Sequence, residues 1–201
     1  MKNTILLYTL IFTSAFAYCQ NDYSNELLAH RKSVDIDFGD TALSILPDAV
    51  ALKFTHLNYF EPNEAYKVTC KVKISIGKEF DMLTSRGENK KFRRYGYLKF
   101  KLMGKRFKLP IYQSIRLMKM DKYKDYIFIP FTDLTSGNQT YGGGRYVETT
   151  IPKGKTYILD FNYAFNPYCH YTIGYNCTIP PSENFLDIEI NAGEKIYNDT
   201  H

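Results

Sequence analysis

The sequence predicts an all-β protein: a single-domain antiparallel barrel or sandwich with a short N-terminal helix. Aromatic residues that favour strands are frequent, with 18 tyrosines and 14 phenylalanines in 201 residues. Glycine and proline divide the chain into short apolar segments, which is typical of many short strands joined by turns. One of these segments, residues 66–76, alternates apolar residues with lysines in the period of a half-buried strand.

The first 19 residues are predicted to be a secretory signal peptide. A lysine precedes the apolar run from Ile5 to Phe12, and small residues follow it. Removal of this peptide leaves one β-rich domain over residues 20–201, which we expect to be exported to the periplasm or the exterior. Lipoprotein anchoring through Cys19 is the less favoured alternative, because the residue before a lipidated cysteine is small and Tyr18 is large. No later stretch predicts a transmembrane segment.

The remaining elements are predicted in chain order. Asp22 or Ser24 is expected to cap a helix over residues 25–32, and residues 34–50 are expected to be irregular with at most one helical turn. Residues 97–112 predict a hairpin around Gly104. Shorter strands are predicted over residues 54–60, 79–83, 126–131, 157–161 and 185–190.

The charge of the chain is unevenly distributed. Residues 66–124 contain 18 Lys and Arg against four Asp and Glu. A basic strand face built from Lys71, Lys73, Lys99 and Lys101 would attract an anionic partner. The alternative is that these lysines only keep the face solvated and prevent pairing of strand edges. No aromatic ladder accompanies the lysines, so nucleic acid is not expected as a partner.

The segment TYGGGRYVETT, residues 140–150, places three glycines beside Arg145. Glycine permits positive φ and lets backbone N–H groups approach a ligand, and a guanidinium matches a carboxylate or phosphate. The alternative is an ordinary tight turn in which Arg145 pairs with Asp160 or Glu183. The segment supplies four predicted ligand-binding residues: Tyr141, Gly143, Gly144 and Arg145.

Further polar residues lie between positions 160 and 184. Asn162, Asn166 and Asn184 are predicted to complete a ligand-binding cleft formed by residues 137–185. Asp160 and Glu183 are the candidates for a catalytic acid or base, because different burial of two carboxyl groups separates their pKa values. The alternative is a structural hydrogen-bond network.

Cys169 and Cys177 are a candidate disulfide, since an exported chain meets an oxidising compartment. A metal site at these cysteines is not expected, because the adjacent Cys169 and His170 and the gap that follows them fit no common zinc spacing. No cofactor is predicted.

The chain also resembles a known family. The runs PFTDLTSGNQTYGGGRYVE and LDFNYAFNPYCHYTIGYNCTIPPSENFLDIEINAGEK, from Pro130 onward, are similar to the bacterial and archaeal family called domain of unknown function 1684. The shared elements include threonine-tyrosine-glycine, glycine-arginine-tyrosine, paired prolines and alanine-glycine-glutamate. His170 and Thr178 depart from the alanine and proline that the family has there. The family has no established activity, so the resemblance implies no reaction.

Three functional hypotheses follow. The leading one is a secreted β-domain that binds a small polar or anionic molecule in the cleft of residues 137–185. The second is a hydrolase-type enzyme that uses Asp160 or Glu183 as its acid or base. The third is an envelope interaction protein that uses the basic strand face. The sequence does not indicate an oligomeric state.

Overall fold

The computed structural model describes residues 22–197, which form a mostly antiparallel sheet, curled into a half-barrel, with a helix at the N-terminal side. This confirms the predicted fold class. The predicted signal peptide and Cys19 lie outside the described residues. Among the helices in the described part of the chain, none is both long and apolar enough to cross a membrane.

Eight strands form the sheet. In chain order they are β1 (Lys67–Ile74), β2 (Glu79–Met82), β3 (Lys90–Leu102), β4 (Lys105–Ser114), β5 (Tyr126–Asp133), β6 (Arg145–Thr150), β7 (Thr156–Asp160) and β8 (Phe185–Leu186). The strand order is β6-β5-β4-β3-β1-β7. β2 pairs with β3, and β8 lies parallel to β5.

The predicted hairpin is confirmed as β3 and β4. Met103 and Gly104 both have positive φ, 46° and 84°, which is the conformation of a two-residue turn that matches strand twist. Residues 54–60 form no strand and contribute only an isolated bridge from Tyr59 to Glu194. β6 is a strand that the sequence analysis does not predict, and it begins at Arg145, which is predicted to belong to a ligand-binding turn.

The N-terminal helix α1 spans residues 22–39, seven residues beyond the predicted end, and α2 is a single turn over Asp48–Ala51. The longer helix is explained by an apolar stripe that continues after residue 32 at spacings of three and four. The face of α1 that packs against the rest of the protein contains Tyr23, Leu27, Arg31, Val34 and Phe38. Arg31 thus occupies a position where an apolar side chain is expected.

Two apolar clusters lie on opposite faces of β5. Ile127, Ile129 and Phe131 belong to the main core, which fills the inside of the half-barrel. Phe128 belongs to a second cluster with Phe92 and other side chains. Because alternate residues of a strand point to opposite faces, the sheet has buried apolar side chains on both faces at β5.

Asn184 joins two strands whose backbones pair at a single position, Tyr112 with Phe128. Its Nδ2 donates to the carbonyls of Pro110 on β4 at 3.0 Å and Pro130 on β5 at 2.7 Å. The Tyr112 hydroxyl donates to its Oδ1 at 2.8 Å. The amide replaces ladder hydrogen bonds that these prolines, which lack an N–H, do not make.

Gly144→Ala is expected to lower the free energy of unfolding by about 3 kcal/mol, from a left-handed backbone and a steric clash. Gly144 has φ +84°, and a Cβ there would lie 2.6 Å from the Phe131 carbonyl oxygen. Gly87 has φ +77° with nothing within 4 Å of a Cβ, so Gly87→Ala is the control and is expected to lose only about 1 kcal/mol. Urea unfolding measures both losses, and equal losses would contradict the steric explanation.

Candidate functional site

Arg145, the first residue of β6, is 1% exposed. One terminal nitrogen donates to Asp133 Oδ2 at 2.7 Å and to the Ile190 carbonyl at 2.8 Å. The other donates to the carbonyls of Ala192 and Glu194. Arg145 therefore fastens the segment that ends at Glu194 to the end of β5.

The predicted pairing of Arg145 with Asp160 or Glu183 is wrong. Asp133 occupies that position, and its other carboxylate oxygen accepts from the backbone N–H and hydroxyl of Thr135. A direct contact between Arg145 and a ligand anion stays an untested prediction. In the structure, both terminal nitrogens of the guanidinium have protein acceptors.

The glycines before Arg145 approach protein atoms. The Gly144 N–H donates to the Tyr141 carbonyl at 3.0 Å and closes a turn. A Cβ on Gly143 would overlap the Tyr141 ring, and one on Gly144 would overlap Phe131 and Pro180. Close packing against the backbone and a positive φ thus account for glycine at position 144.

The two predicted catalytic carboxylates hold different parts of the fold. Asp160 accepts from the Tyr23 hydroxyl of α1 at 2.7 Å and from the side chain and backbone of Asn162. Glu183 is exposed, and its Oε1 lies 2.8 Å from the Tyr112 hydroxyl, whose single proton it shares with Asn184 Oδ1. Neither lines the cavity described next, and their catalytic roles stay predictions without a supporting contact.

A cavity of about 520 Å³ lies beside α1. Of the predicted ligand-binding residues, the structure places two in its wall, Asn162 and Asn166. Tyr141, Gly143, Gly144, Arg145 and Asn184 do not line it. Further polar wall residues are His30, Arg31, Asp37, Tyr59, Glu148, Tyr163, Tyr168, Tyr171 and Glu194.

Arg31 lies in the wall of this cavity, and one edge of its guanidinium has no hydrogen-bond partner. Nη1 donates to the Phe60 carbonyl at 2.8 Å, and the guanidinium carbon lies 4.5 Å from the centre of the Tyr59 ring. Nε and Nη2 are buried and have no hydrogen-bond partner. These two nitrogens form one side of the planar fork, the arrangement that binds a carboxylate through two parallel hydrogen bonds.

Glu194 lies in the wall of the same cavity and is 4% exposed. Its Oε2 accepts from the Asn166 backbone N–H at 2.7 Å and from the Tyr171 hydroxyl. Burial raises the pKa of this carboxyl to about 7, although these two hydrogen bonds and Arg145 act in the opposite direction. Glu194 is therefore partly protonated near neutral pH.

Asn166 supplies a free acceptor. Its Nδ2 donates to the Lys195 carbonyl at 2.9 Å and to the Tyr171 hydroxyl at 3.3 Å. Its Oδ1 is buried without a partner. Two residues of the cavity wall, Arg31 and Asn166, thus have buried polar atoms without a hydrogen-bond partner, which is uncommon in folded proteins.

Cys169 and Cys177 lie side by side, and the Cys169 backbone N–H contacts the Cys177 sulfur at 3.2 Å. Both are thiols in the structure. The pKa of the Cys177 thiol is raised to about 12, mainly by burial and to a smaller extent by the neighbouring Cys169. The predicted disulfide stays a prediction, with its two partners adjacent.

The basic strand face is present on the outside of the sheet. Lys71 on β1 lies opposite Lys99 on β3, and Lys99 lies opposite Lys108 on β4. All three side chains are exposed, and like charges directly opposite each other repel. Binding of an anionic partner to this face stays a prediction.

Sequence reasoning missed Arg31 and Glu194. Arg31 follows Leu27 by four residues and precedes Val34 by three, which places it on the apolar face of the helix. A charged residue at such a position is the sequence signal that could have identified it. The predicted helix ended at residue 32, too early to define that stripe. Glu194 belongs to the alanine-glycine-glutamate element that the chain shares with the family, but nothing in its local sequence indicates that it is buried.

Arg145→Met is expected to lower the free energy of unfolding by about 3–5 kcal/mol, because it leaves Asp133 buried without its ionic partner. The control is Lys91→Met, which removes an ion pair with Asp81 in which the lysine side chain is 62% exposed. We expect the control to cost less than about 1 kcal/mol. Urea unfolding of both variants tests this, and a small loss for Arg145→Met would show that the pair is not a structural tie.

Glu194→Gln is expected to change the pH dependence of stability. The unfolded chain releases the Glu194 proton near its ordinary pKa of 4.5, whereas the folded protein holds it until about 7. Stability of the wild type therefore falls as pH rises through this window, and the variant lacks this loss. We expect the variant to gain on the order of 3 kcal/mol relative to wild type across the window.

Urea unfolding at several pH values measures this difference, with Glu189→Gln at an exposed position as the charge-matched control. A constant difference between wild type and Glu194→Gln would contradict the raised pKa.

Comparison with known proteins agrees with the fold. The solution NMR structure of an uncharacterized protein from Haloarcula marismortui is similar to this chain, with 29% identity and a TM-score of 0.65, over 90% of this chain and 97% of that one. The search of curated proteins finds no match. The family model described as "Protein of unknown function (DUF1684)" matches residues 52–195. Since this match covers well over half of the sequence, the chain belongs to the DUF1684 family.

Proposed function

We propose that this protein is a secreted domain that binds a small organic carboxylate in the cavity beside α1, with Arg31 as its principal contact. The observation that carries the proposal is the buried, unpartnered edge of the Arg31 guanidinium. The proposal keeps the hypothesis of a small anionic ligand but moves the cleft from residues 137–185 to the cavity under the helix. Export is inferred from the N-terminal sequence pattern alone.

The two unpartnered nitrogens of Arg31 are expected to cost the fold free energy. A buried guanidinium without hydrogen-bond partners destabilises a fold, because the charge has lost its hydration. The bond to Phe60 and the ring of Tyr59 compensate only in part, since they leave two nitrogens unused. Burial also lowers the pKa of Arg31. A carboxylate ligand would satisfy both nitrogens and supply the missing negative charge.

The other polar groups define what such a ligand carries besides its carboxylate. The Asn166 Oδ1 accepts a hydrogen bond, so it favours a ligand with a hydroxyl or N–H group. Protonated Glu194 adds no negative charge to the cavity at mildly acidic pH. No ion pair joins Arg31 to a carboxylate within residues 22–197, so an incoming anion does not have to displace a protein partner.

The test compares wild type with Arg31→Leu by NMR titration, with lactate as the probe. We expect the variant to bind lactate at least about tenfold more weakly, because two charge-assisted hydrogen bonds are lost. Its free energy of unfolding without ligand is expected to stay within about 1 kcal/mol of wild type or to rise, since an unpaired buried charge is removed.

Arg106→Leu, at an exposed position on β4, is the matched control and is expected to bind like wild type. Lactate binding that survives Arg31→Leu would contradict the proposal. A loss of several kcal/mol of stability in Arg31→Leu would assign the arginine a structural role instead.

A further inference from the structure

A second cavity, of about 890 Å³, adjoins the first one. Glu148, Phe165 and Tyr168 line both cavities. The second cavity lies over the apolar cluster on the outer side of β5. The two cavities therefore adjoin along these three side chains.

The floor of the second cavity is aromatic. Phe92, Phe128 and Tyr146 line it. The rings of Phe92 and Phe128 lie 5.5 Å apart, and those of Phe128 and Tyr146 lie 4.7 Å apart in an edge-to-face arrangement. Binding of an apolar group to such a surface is favourable because the group leaves water. A strongly hydrated group would lose its hydration there without compensation.

The charged side chains that line the second cavity are mostly basic. The basic residues are Lys90, Lys91, Arg116 and Lys119, against Glu88 and Glu148. Lys90 donates to the Asn176 carbonyl and Lys91 pairs with Asp81, but their charges still contribute to the field. An excess of positive charge around an apolar cleft attracts anions and raises their rate of entry.

We propose that the ligand is an amphipathic carboxylate with an extended aliphatic chain. Its carboxylate lies on the free edge of Arg31, and its chain passes Phe165 and Tyr168 to cover the aromatic floor of the second cavity. This inference rests on the proposed function, because it assigns the carboxylate to the same arginine. It adds the second cavity as the site for the chain.

Chain length is the direct test. Wild type is titrated with lactate, 2-hydroxyhexanoate and 2-hydroxyoctanoate, which share one head group. Each buried methylene contributes roughly 0.8 kcal/mol, or about fourfold in affinity. We expect 2-hydroxyoctanoate to bind at least about tenfold more tightly than lactate, and Arg31→Leu to weaken all three ligands.

Leu117→Gln supplies an independent readout in the second cavity. Leu117 is half-buried and lines that cavity. We expect the variant to weaken 2-hydroxyoctanoate by about fivefold, through loss of apolar contact, and to leave lactate unchanged. Leu134→Gln is the control, because Leu134 is exposed and does not line this cavity.

The outcomes separate the two proposals. Arg31-dependent binding that does not strengthen with chain length would overturn the inference about the second cavity and leave the proposed function standing. A chain-length gain that Leu117→Gln does not reduce would also overturn it. Binding of none of the three ligands through Arg31 would overturn the proposed function itself.

Discussion

The buried ion pair between Arg145 and Asp133 is the interaction on which the described site depends. Arg145 uses its two terminal nitrogens on Asp133 and on three carbonyls of residues 190–194. This segment has little regular structure of its own, so its path depends on these hydrogen bonds together with backbone bonds to Phe60 and Ala164. Its last residue is Glu194, whose side chain forms part of the cavity wall. A structural arginine thereby positions a residue of the candidate site.

Arg31 and Arg145, the arginines buried within residues 22–197, show opposite solutions to the same physical problem. The guanidinium of Arg145 is desolvated but bonded to a carboxylate and several carbonyls. The guanidinium of Arg31 has one carbonyl, one aromatic ring and two unused nitrogens. A charge that is fully satisfied within the chain stabilises one conformation, whereas one left half-satisfied in a cavity indicates a missing partner. This contrast is the reason for placing the ligand at Arg31 rather than at the glycine turn.

Local sequence patterns were sufficient for part of the fold. The alternation in residues 66–76 predicted β1, and Gly104 predicted the turn between β3 and β4, because both features depend on neighbouring residues. The partner of Arg145 was not predictable in this way, since Asp133 comes from a different strand and its choice depends on sheet order. Asn162 and Asn166, which lie four residues apart, both line the cavity beside α1, whereas finding Arg31 requires knowledge of which helix face packs against the barrel. The candidate site combines Arg31 of α1 with Glu194 near the other end of the chain. Local sequence patterns do not predict contacts between residues so far apart in sequence.

The most direct measurement is an NMR spectrum of the arginine side-chain Nε–H groups, recorded with and without lactate at mildly acidic pH. We expect the Arg31 Nε–H resonance to shift and to gain protection from solvent exchange when lactate is added. We expect the Arg145 resonance not to change, because that guanidinium already has its partners within the chain. A response at Arg145 with none at Arg31 would contradict the account and return the ligand to the glycine turn.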